Sequence, residues 1–282
     1  MKIITTITEM KSYSAEYRRL GKSIGFIPTM GALHDGHLSL IRESANNNDI
    51  TIVSIFVNPT QFAVNEDLDK YPRTLERDTE LSKLAGADVI FAPTANEMYG
   101  SDYATYVEVG GSLTGGLCGK SRPTHFRGVT TVVAKLFNIV SPDKAYFGQK
   151  DAQQLAIITK MVGNLNMNIE IVPCETVREN DGLAMSSRNV YLTSEERKQA
   201  TALFEALQTA KSIISDGETN ATTIKNKISS TLNSKNLATI DYIEIVDFET
   251  FRETETIKSP TLIALAVKFG NTRLIDNIII TR

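Results

Sequence analysis

The sequence predicts an α/β fold: a Rossmann-like parallel sheet with helices on both faces, followed by a smaller C-terminal α+β domain. Two observations predict the sheet. Short β-branched runs alternate with helical segments, and these runs are apolar on both faces. A third observation predicts the smaller domain, because beyond residue 190 two helical segments precede three strand-like runs. We therefore expect domains at residues 1–177 and 178–282.

The elements of the first domain alternate along the chain. The first apolar run, 24–27, predicts a buried strand, and a helical pattern follows from 38 to about 48. The next predicted elements are strand 50–57, helix 74–85, strand 88–92, helix 129–140, strand 144–147, helix 152–165 and strand 169–173. Such alternation requires a parallel sheet, because each crossover helix returns the chain to the same end of the sheet.

The second domain begins in the polar loop 178–188. Its predicted elements are helices at about 194–215 and 221–233, followed by strands at 242–246, 262–267 and 274–280. Ser215, Asp216 and Gly217 predict a helix end and a turn between the two helices.

Composition limits the classes of partner. With 41% hydrophobic residues and a formal net charge of −3, the chain can form a packed core, and no general attraction to nucleic acid or anionic membrane is expected. The N-terminus lacks the apolar region of a secretory signal, and no long uncharged apolar run predicts a membrane span. Cys118 and Cys174 match neither a disulfide framework nor a CxxC site, so we expect inert packing thiols and a cytoplasmic protein.

The most informative segment, PTMGALHDGH, joins the first predicted strand to its helix and contains His34 and His37. A helix N-terminus offers unpaired N–H donors and a partial positive charge, so it favours phosphate. Imidazoles three residues apart share one face of a turn, and we expect both to donate to one phosphate chain; solvated loop histidines are the alternative. A zinc site is disfavoured, since no HExxH pattern is present and only His125 remains as a third imidazole.

Two further segments are expected at the carboxyl edge of the same sheet, where open α/β folds bind ligands. They are NPTQ at 58–61 and GQKD at 148–151. Lys150 can neutralise phosphate charge and Asp151 can accept ribose hydroxyls; a surface lysine beside a helix-starting acid is the alternative. The later loop GLAMSSR, at 182–188, supplies two hydroxyls and an arginine suited to closing over a triphosphate, unless it is simply an exposed loop.

The histidine pair and the MSSR loop together resemble the HIGH and KMSKS elements of the nucleotidyltransferase and class I synthetase superfamily. Six segments in order resemble the motifs of the pantothenate synthetase (pantoate–β-alanine ligase) family: PTMGALHDGH, FVNPTQF, YPRT, RPTHFRGV, YFGQKDAQQL and TVRENDGLAMSSRNVYL. The resemblance covers essentially the whole chain. Gln149 stands where this family usually has glutamate and Asn180 where it often has alanine, but neither change removes a group that the reaction needs.

This resemblance implies an ATP-dependent condensation of (R)-pantoate with β-alanine. The carboxylate of pantoate would attack the α-phosphate of ATP to give pantoyl adenylate and pyrophosphate, and β-alanine would then displace AMP to give pantothenate. The resemblance also implies Mg²⁺ with ATP and a homodimer. From composition and charge we expect no nucleic-acid or membrane partner.

The resemblance further assigns residues to roles. The positions implied for ATP are Met30, Gly31, Ala32, Leu33, His34, Asp35, Gly36, His37, Gly148, Gln149, Lys150, Asp151, Val177, Met185, Ser186, Ser187 and Arg188. Those implied for catalysis are His34, His37, Lys150 and Arg188, with His37 as proton donor. Gln61 and Gln154 are implied for pantoate, whose hydroxyls suit amides that both donate and accept, and Gln61 also for β-alanine. Further pocket positions are Asn58, Tyr71, Asp78, Arg122 and His125, with Asp78 the candidate near magnesium. Gln153, beside Gln154, is expected to be solvated.

Three other functions stay open at this level. A cytidylyl- or adenylyltransferase would use the same fold, and Gln61 and Gln154 argue against it only through the resemblance. A catalytically inactive nucleotide sensor is a second alternative, since a fold alone does not prove turnover. A synthetase-like RNA-binding protein is the third, but the acidic charge balance and the lack of a recognisable anticodon-binding domain disfavour it.

Overall fold

A computed structural model describes residues 1–62, 68–258 and 260–281. The chain divides into two compact units. The first comprises 1–110, 119–149 and 153–175, and the second comprises 111–118, 150–152 and 176–282. The short segments 111–118 and 150–152 therefore belong to the second unit, although the chain on either side of each belongs to the first.

The secondary structure of the described residues consists of strands, α-helices and short 3₁₀ helices. The strands are β1 (Lys2–Ile4), β2 (Ile24–Thr29), β3 (Ile50–Ile55), β4 (Val89–Phe91), β5 (Lys144–Gly148), β6 (Glu170–Cys174), β7 (Ala238–Asp247), β8 (Thr261–Phe269) and β9 (Thr272–Ile280). The α-helices are α1 (Ile7–Arg19), α2 (Asp35–Asn47), α3 (Leu75–Leu84), α4 (Ala95–Met98), α5 (Ser112–Gly115), α6 (Leu117–Ser121), α7 (His125–Val140), α8 (Ala152–Asn164), α9 (Ser194–Ala200), α10 (Ala202–Ser215) and α11 (Ala221–Asn233). The 3₁₀ helices are Pro59–Gln61, Gln149–Asp151 and Ser187–Tyr191.

The first unit is built on a parallel sheet, which confirms the predicted fold class. Over the described residues the strand order is β1-β4-β3-β2-β5-β6. Strand β3 is buried along nearly its whole length, as a strand covered by helices on both faces must be. The strand order reverses direction between β2 and β5, and the carboxyl ends of strands at such a switch point form the usual ligand crevice of open α/β sheets.

Helix α2 follows directly from the sequence pattern. Leu38, Ile41 and Ser44 are buried at intervals of three residues, so one stripe of the helix faces the core. The helix begins three residues before the predicted start, at Asp35, because His34 caps its N-terminus. His34 therefore ends the loop between β2 and α2, and His37 lies in the first turn of α2.

The second unit is α+β, as predicted. Its antiparallel sheet has the order β7-β8-β9, and residues from α10, α11 and this sheet form one core. Leu207, Ile224 and Leu265 are fully buried in that core. The predicted helix end at Ser215 is confirmed, with Asp216 as C-cap and Gly217 at a φ of 106°, where glycine is favoured.

Several elements differ from the predictions for local reasons. Strand β1 and helix α1 were not predicted, because β1 has three residues and α1 buries only Met10 and Ser14. Helix α7 begins at His125, four residues before its apolar pattern becomes clear. The single helix predicted over 194–215 is interrupted at Thr201, which keeps helical angles (φ −58°, ψ −20°), so the hydrophobic period runs through the interruption.

The two cysteines are free. Burial raises the pKa of the Cys174 thiol to about 11, so this thiol stays protonated near neutral pH. Cys118 is buried, with its sulfur 3.3 Å from the hydroxyl of Tyr242, whereas Cys174 is half-buried. Over the residues that the structure describes, no helix has both the length and the apolar character that crossing a bilayer requires.

Candidate active site

The loop between β2 and α2, together with the first turn of α2, places two imidazoles side by side. The ring centroids of His34 and His37 are 4.1 Å apart. The Nδ1 atom of His34 accepts a hydrogen bond from the Gly36 amide at 3.2 Å, and Nδ1 of His37 accepts one from the His34 amide at 3.4 Å. In the neutral ring these bonds assign the proton to Nε2. Each ring is therefore oriented by backbone amides, with Nε2 as its donor atom.

A buried carboxylate shapes the same loop. Asp78 is completely buried. Its Oδ2 accepts hydrogen bonds from the Ala32 amide at 2.9 Å and the Thr74 hydroxyl at 3.1 Å, and its Oδ1 accepts one from the Leu33 amide at 2.8 Å. Ala32 has a φ of 51°, which is unfavourable for a non-glycine residue, and the bond from its amide to Asp78 stabilises it there. Asp78 therefore holds the loop in shape, and this geometry does not favour the expectation that it lies beside magnesium.

A second cluster forms around Gln61, after β3. The Nε2 atom of Gln61 lies 2.8 Å from Sδ of Met30, and its Oε1 accepts a hydrogen bond from Nδ2 of Asn58 at 3.2 Å. The backbone carbonyl of Gln61 lies 2.8 Å from Nδ1 of His125 and 3.4 Å from a guanidinium nitrogen of Arg122. The structure thus brings together predicted residues from three separate sequence segments.

The hydrogen-bond partners of His125 show which of its ring nitrogens donates. A carbonyl oxygen only accepts, so Nδ1 of His125 must donate to the Gln61 carbonyl. Its Nε2 lies 3.2 Å from Nη1 of Arg122 and accepts from that guanidinium. His125 therefore orients Arg122 and the backbone of Gln61.

Asn58 is held by three groups, of which one, the hydroxyl of Tyr99, lies outside the predicted motifs. Its Oδ1 accepts hydrogen bonds from the Tyr99 hydroxyl at 2.8 Å and the Thr60 hydroxyl at 3.0 Å, and its Nδ2 donates to the Gly128 carbonyl at 3.2 Å. Burial raises the pKa of Tyr99 to about 12, so this hydroxyl keeps its proton and donates. Tyr99 lies outside every motif found in the sequence, and no periodic signal links it to Asn58.

The other predicted residues of the first unit lie at β5, α8 and the segment before α3. Gly148 ends β5, Gln149 follows it, and both are half-buried. Tyr71 is buried, and its ring centroid lies 6.1 Å from that of Phe62. Gln154 is half-buried in the first turn of α8, whereas Gln153 is buried. The expectation of a solvated Gln153 is wrong, because this position falls on the helix face that packs inward.

Lys150 and Asp151 belong to the second unit. Nζ of Lys150 lies 3.5 Å from Oδ2 of Asp151, and the two side chains are 22% and 47% exposed. The backbone carbonyl of Lys150 accepts a hydrogen bond of 2.8 Å from Nδ2 of Asn277. A half-buried lysine beside a more exposed carboxylate is consistent with the predicted contacts to phosphate and ribose.

The segment 177–185 forms a closed turn. The Met185 amide donates to the Val177 carbonyl at 3.0 Å, and Arg178 and Ala184 form an antiparallel bridge. Leu183 is buried in the core of the second unit. Leu183 therefore anchors the loop in the core, so the loop is not simply exposed.

The serines and arginine that follow are equally ordered. Ser186 caps the 3₁₀ helix Ser187–Tyr191, and its hydroxyl oxygen accepts a hydrogen bond from the Arg188 amide at 3.2 Å. Ser187 and Arg188 are both half-buried. The side chain of Arg188, a predicted phosphate contact, thus extends from a short helix whose first turn is held by the Ser186 hydroxyl.

Comparison with known proteins adds independent information. A family model described as pantoate-beta-alanine ligase matches residues 2–279. The chain is 58% identical over 280 residues to pantothenate synthetase of Acetivibrio thermocellus, with 99% of each chain covered. It is 55% identical over 280 residues to pantothenate synthetase of Caldicellulosiruptor saccharolyticus, again with 99% of each chain covered.

Solved structures show the same similarity. The crystal structure of pantothenate synthetase from Thermus thermophilus superposes with a TM-score of 0.95 at 41% identity and covers 100% of both chains. Pantoate-beta-alanine ligase from Francisella tularensis, solved in complex with beta-gamma ATP and beta-alanine, gives a TM-score of 0.81 at 37% identity, covering 99% of this chain and 97% of that one.

Proposed function

Since the chain belongs to the pantoate–β-alanine ligase family and is an ATP-using ligase of pantoate and β-alanine, we propose that it works through an enzyme-bound pantoyl adenylate. The observation that carries this proposal is the oriented pair His34 and His37 at the start of α2, beside the sheet's switch point. Backbone amides fix both rings, so two Nε2 donors are preorganised where an anion is favoured.

The first step sets a carboxylate against a polyphosphate. A carboxylate oxygen of (R)-pantoate bonds to the α-phosphorus of ATP, and the bond from that phosphorus to the β-phosphate oxygen breaks, so pyrophosphate leaves. Because both reactants are anions, positioning and cationic donors must supply most of the rate enhancement. We assign the cationic part of this role to Lys150 and Arg188, while His34 and His37 donate hydrogen bonds from Nε2 to the phosphate oxygens.

The second step forms the amide. The neutral amine of β-alanine attacks the acyl carbon, the C–N bond forms, and the C–O bond to AMP breaks. The amine proton leaves to water or to a substrate phosphate. Gln61 lies at the centre of a hydrogen-bonded cluster, and we assign it to both pantoate and β-alanine, with Gln154 as a second pantoate contact. We assign the remaining ATP contacts to Met30–Gly36, Gly148–Asp151, Val177 and Met185–Ser187.

Magnesium fits this scheme as the ion that enters with ATP. In the described part of the chain, no group of three or more His, Cys, Asp and Glu side chains could hold a metal ion. Mg²⁺ commonly takes substrate phosphates and waters as most of its ligands, so such a group is not required. We propose that MgATP is the substrate, with the ion neutralising phosphate charge.

Replacing Gln61 by alanine is expected to lower turnover roughly 10²-fold, because a preorganised amide is lost from the pantoate position. Steady-state kinetics with each substrate varied would measure this change, with urea unfolding as the check on folding. Gln208, an exposed glutamine of α10, gives a matched control in Gln208→Ala, which should keep wild-type kinetics. Equal rates for the two variants would refute the assignment of Gln61.

Replacing Gly128 by alanine is expected to displace the same segment. An added Cβ would lie 2.7 Å from Cα of Gln61 and even closer to the Thr60 carbonyl, so the backbone must move. We expect a loss of about 1–3 kcal/mol in the free energy of unfolding and a raised KM for pantoate. Gly163→Ala is the control, since its Cβ would meet nothing within 4 Å and alanine favours the helix α8. Unchanged stability and KM in Gly128→Ala would show that Gly128 does not set the position of Gln61.

The decisive experiment for the function is AMP release from MgATP with pantoate and β-alanine together and with each omitted. AMP that appears only with both substrates supports the ligation. Labelled pantoate with ATP and no β-alanine should give one equivalent of enzyme-bound pantoyl adenylate. Pyrophosphate release with a different acceptor would indicate another nucleotidyl transfer, and ATP binding without any AMP would indicate a sensor.

We also propose that the protein is a cytoplasmic homodimer. The family resemblance supports the dimer, and the two free cysteines are compatible with a reducing compartment. Gel filtration with light scattering should give twice the chain mass of 31.1 kDa. A particle with the mass of one chain would contradict the dimer.

A further inference from the structure

We propose that Asp276 and Asn277, neighbours on β9, position Lys150 and the loop 177–188 for binding ATP. The proposal rests on the proposed function, because it takes Lys150 and Arg188 to be ATP contacts. It concerns two residues that act through others, and it assigns neither a direct contact with substrate.

The contact from Asn277 reaches the backbone of Lys150. Asn277 is 8% exposed, and its Nδ2 donates to the Lys150 carbonyl at 2.8 Å. The segment 150–152 belongs to the second unit, although the residues before and after it belong to the first. A buried amide that binds this carbonyl fixes the point from which the Lys150 side chain extends.

Asp276 contacts the loop 177–188 through the side chain of Arg178. Asp276 is 1% exposed and accepts two hydrogen bonds from Arg178, at 2.6 Å from Nη1 and 2.9 Å from Nη2. Nη1 of Arg178 also donates to the Gly182 carbonyl at 3.0 Å, and the guanidinium lies 4.8 Å from the ring centroid of Phe204. A bidentate pair of this kind fixes both distance and orientation, so the turn 178–184 is clamped to the sheet.

The strand explains why two adjacent residues can serve two segments. Successive side chains of a β-strand point to opposite faces, so Asp276 and Asn277 reach in different directions. The Asn277 amide also donates to Oδ1 of Asp276 at 2.8 Å, which ties the two together. Strand β9 lies at the edge of its sheet, where such side chains can meet residues from outside the sheet. One dipeptide thereby sets the positions of two predicted phosphate contacts that are distant in sequence.

A double-mutant cycle tests this inference. Asn277→Ala is expected to raise KM for ATP about tenfold, the effect of one lost hydrogen bond of about 1.4 kcal/mol, with KM for pantoate unchanged. In a Lys150→Ala background the same substitution should have no further effect on kcat/KM for ATP, because no amine remains to be positioned. Asn271→Ala, in the exposed turn before β9, is the matched control and should match the wild type.

The outcomes separate the inference from the function on which it rests. If Asn277→Ala lowers kcat/KM by the same factor with and without Lys150, Asn277 does not act through Lys150 and the inference is overturned. If Lys150→Ala itself leaves the kinetics unchanged, the proposed role of Lys150 fails, and the inference fails with it.

Arg178→Lys, which keeps the charge but loses the bidentate pair, should likewise raise KM for ATP about tenfold. Unchanged KM there would overturn the part that concerns Asp276.

Discussion

Replacing His37 by alanine is expected to lower turnover about 10²- to 10³-fold, as the loss of a preorganised donor to a developing charge does elsewhere. The donor is preorganised because Nδ1 of His37 accepts a hydrogen bond from the His34 amide, which leaves the proton on Nε2. Steady-state AMP release at saturating ATP, pantoate and β-alanine would measure the change.

We expect Lys150→Ala to lower turnover by about 10²-fold or more in the same assay, because Lys150 is proposed to neutralise phosphate charge.

The control for His37→Ala must separate catalysis from helix capping. The substitution also removes an acceptor at the N-terminus of α2, and such a loss costs about 1 kcal/mol. Asn220 also supplies a side-chain acceptor at a helix N-terminus, because as the N-cap of α11 it accepts from the Thr223 amide at 2.9 Å. Asn220→Ala should therefore lose a similar free energy of unfolding and keep wild-type turnover. Equal turnover losses in the two variants would mean that His37 acts only through stability.

The sequence predicted the parts of this fold and site that follow from local patterns. Buried strands such as β3 and amphipathic helices such as α2 have periods that appear in any short window. Because parallel strands end at one edge of a sheet, the approximate positions of His37 and Gln61 followed from the order of the elements. These inferences needed no knowledge of individual side-chain contacts.

The parts that the sequence could not predict depend on contacts between distant residues. Tyr99 donates to Asn58, and Asn277 donates to Lys150, across long stretches of sequence with no shared period. The same limit explains Asp78: its place near the site was implied by resemblance, but its task as an anchor for loop amides appears only in the hydrogen bonds. Side-chain direction, as for the buried Gln153, also depends on which helix face packs inward.

Replacing Asp78 by alanine is expected to reduce stability more than the other substitutions considered, and to reduce activity as well. Two amides, of Ala32 and Leu33, would lose their acceptor in a buried site, and each such loss costs about 1–3 kcal/mol. Ala32 would also lose the bond that stabilises its positive φ, so the loop that orients His34 and His37 would relax. We expect turnover to fall by more than about 10²-fold, by loss of the oriented donors. Urea unfolding and AMP release would measure both effects.

Asp78→Asn distinguishes this anchoring role from magnesium binding. Asparagine keeps one carbonyl oxygen as an acceptor but presents an NH₂ group to one of the two amides. If Asp78 anchors the loop, Asp78→Asn should therefore lower the free energy of unfolding, but by less than Asp78→Ala does. The Mg²⁺ concentration that gives half-maximal rate should then stay at the wild-type value. If Asp78 were a metal ligand, the opposite would be expected. Loss of its carboxylate would raise the Mg²⁺ concentration that gives half-maximal rate, while the free energy of unfolding would change little. Wild-type stability together with a raised Mg²⁺ requirement in Asp78→Asn would therefore refute the anchor and restore the magnesium assignment.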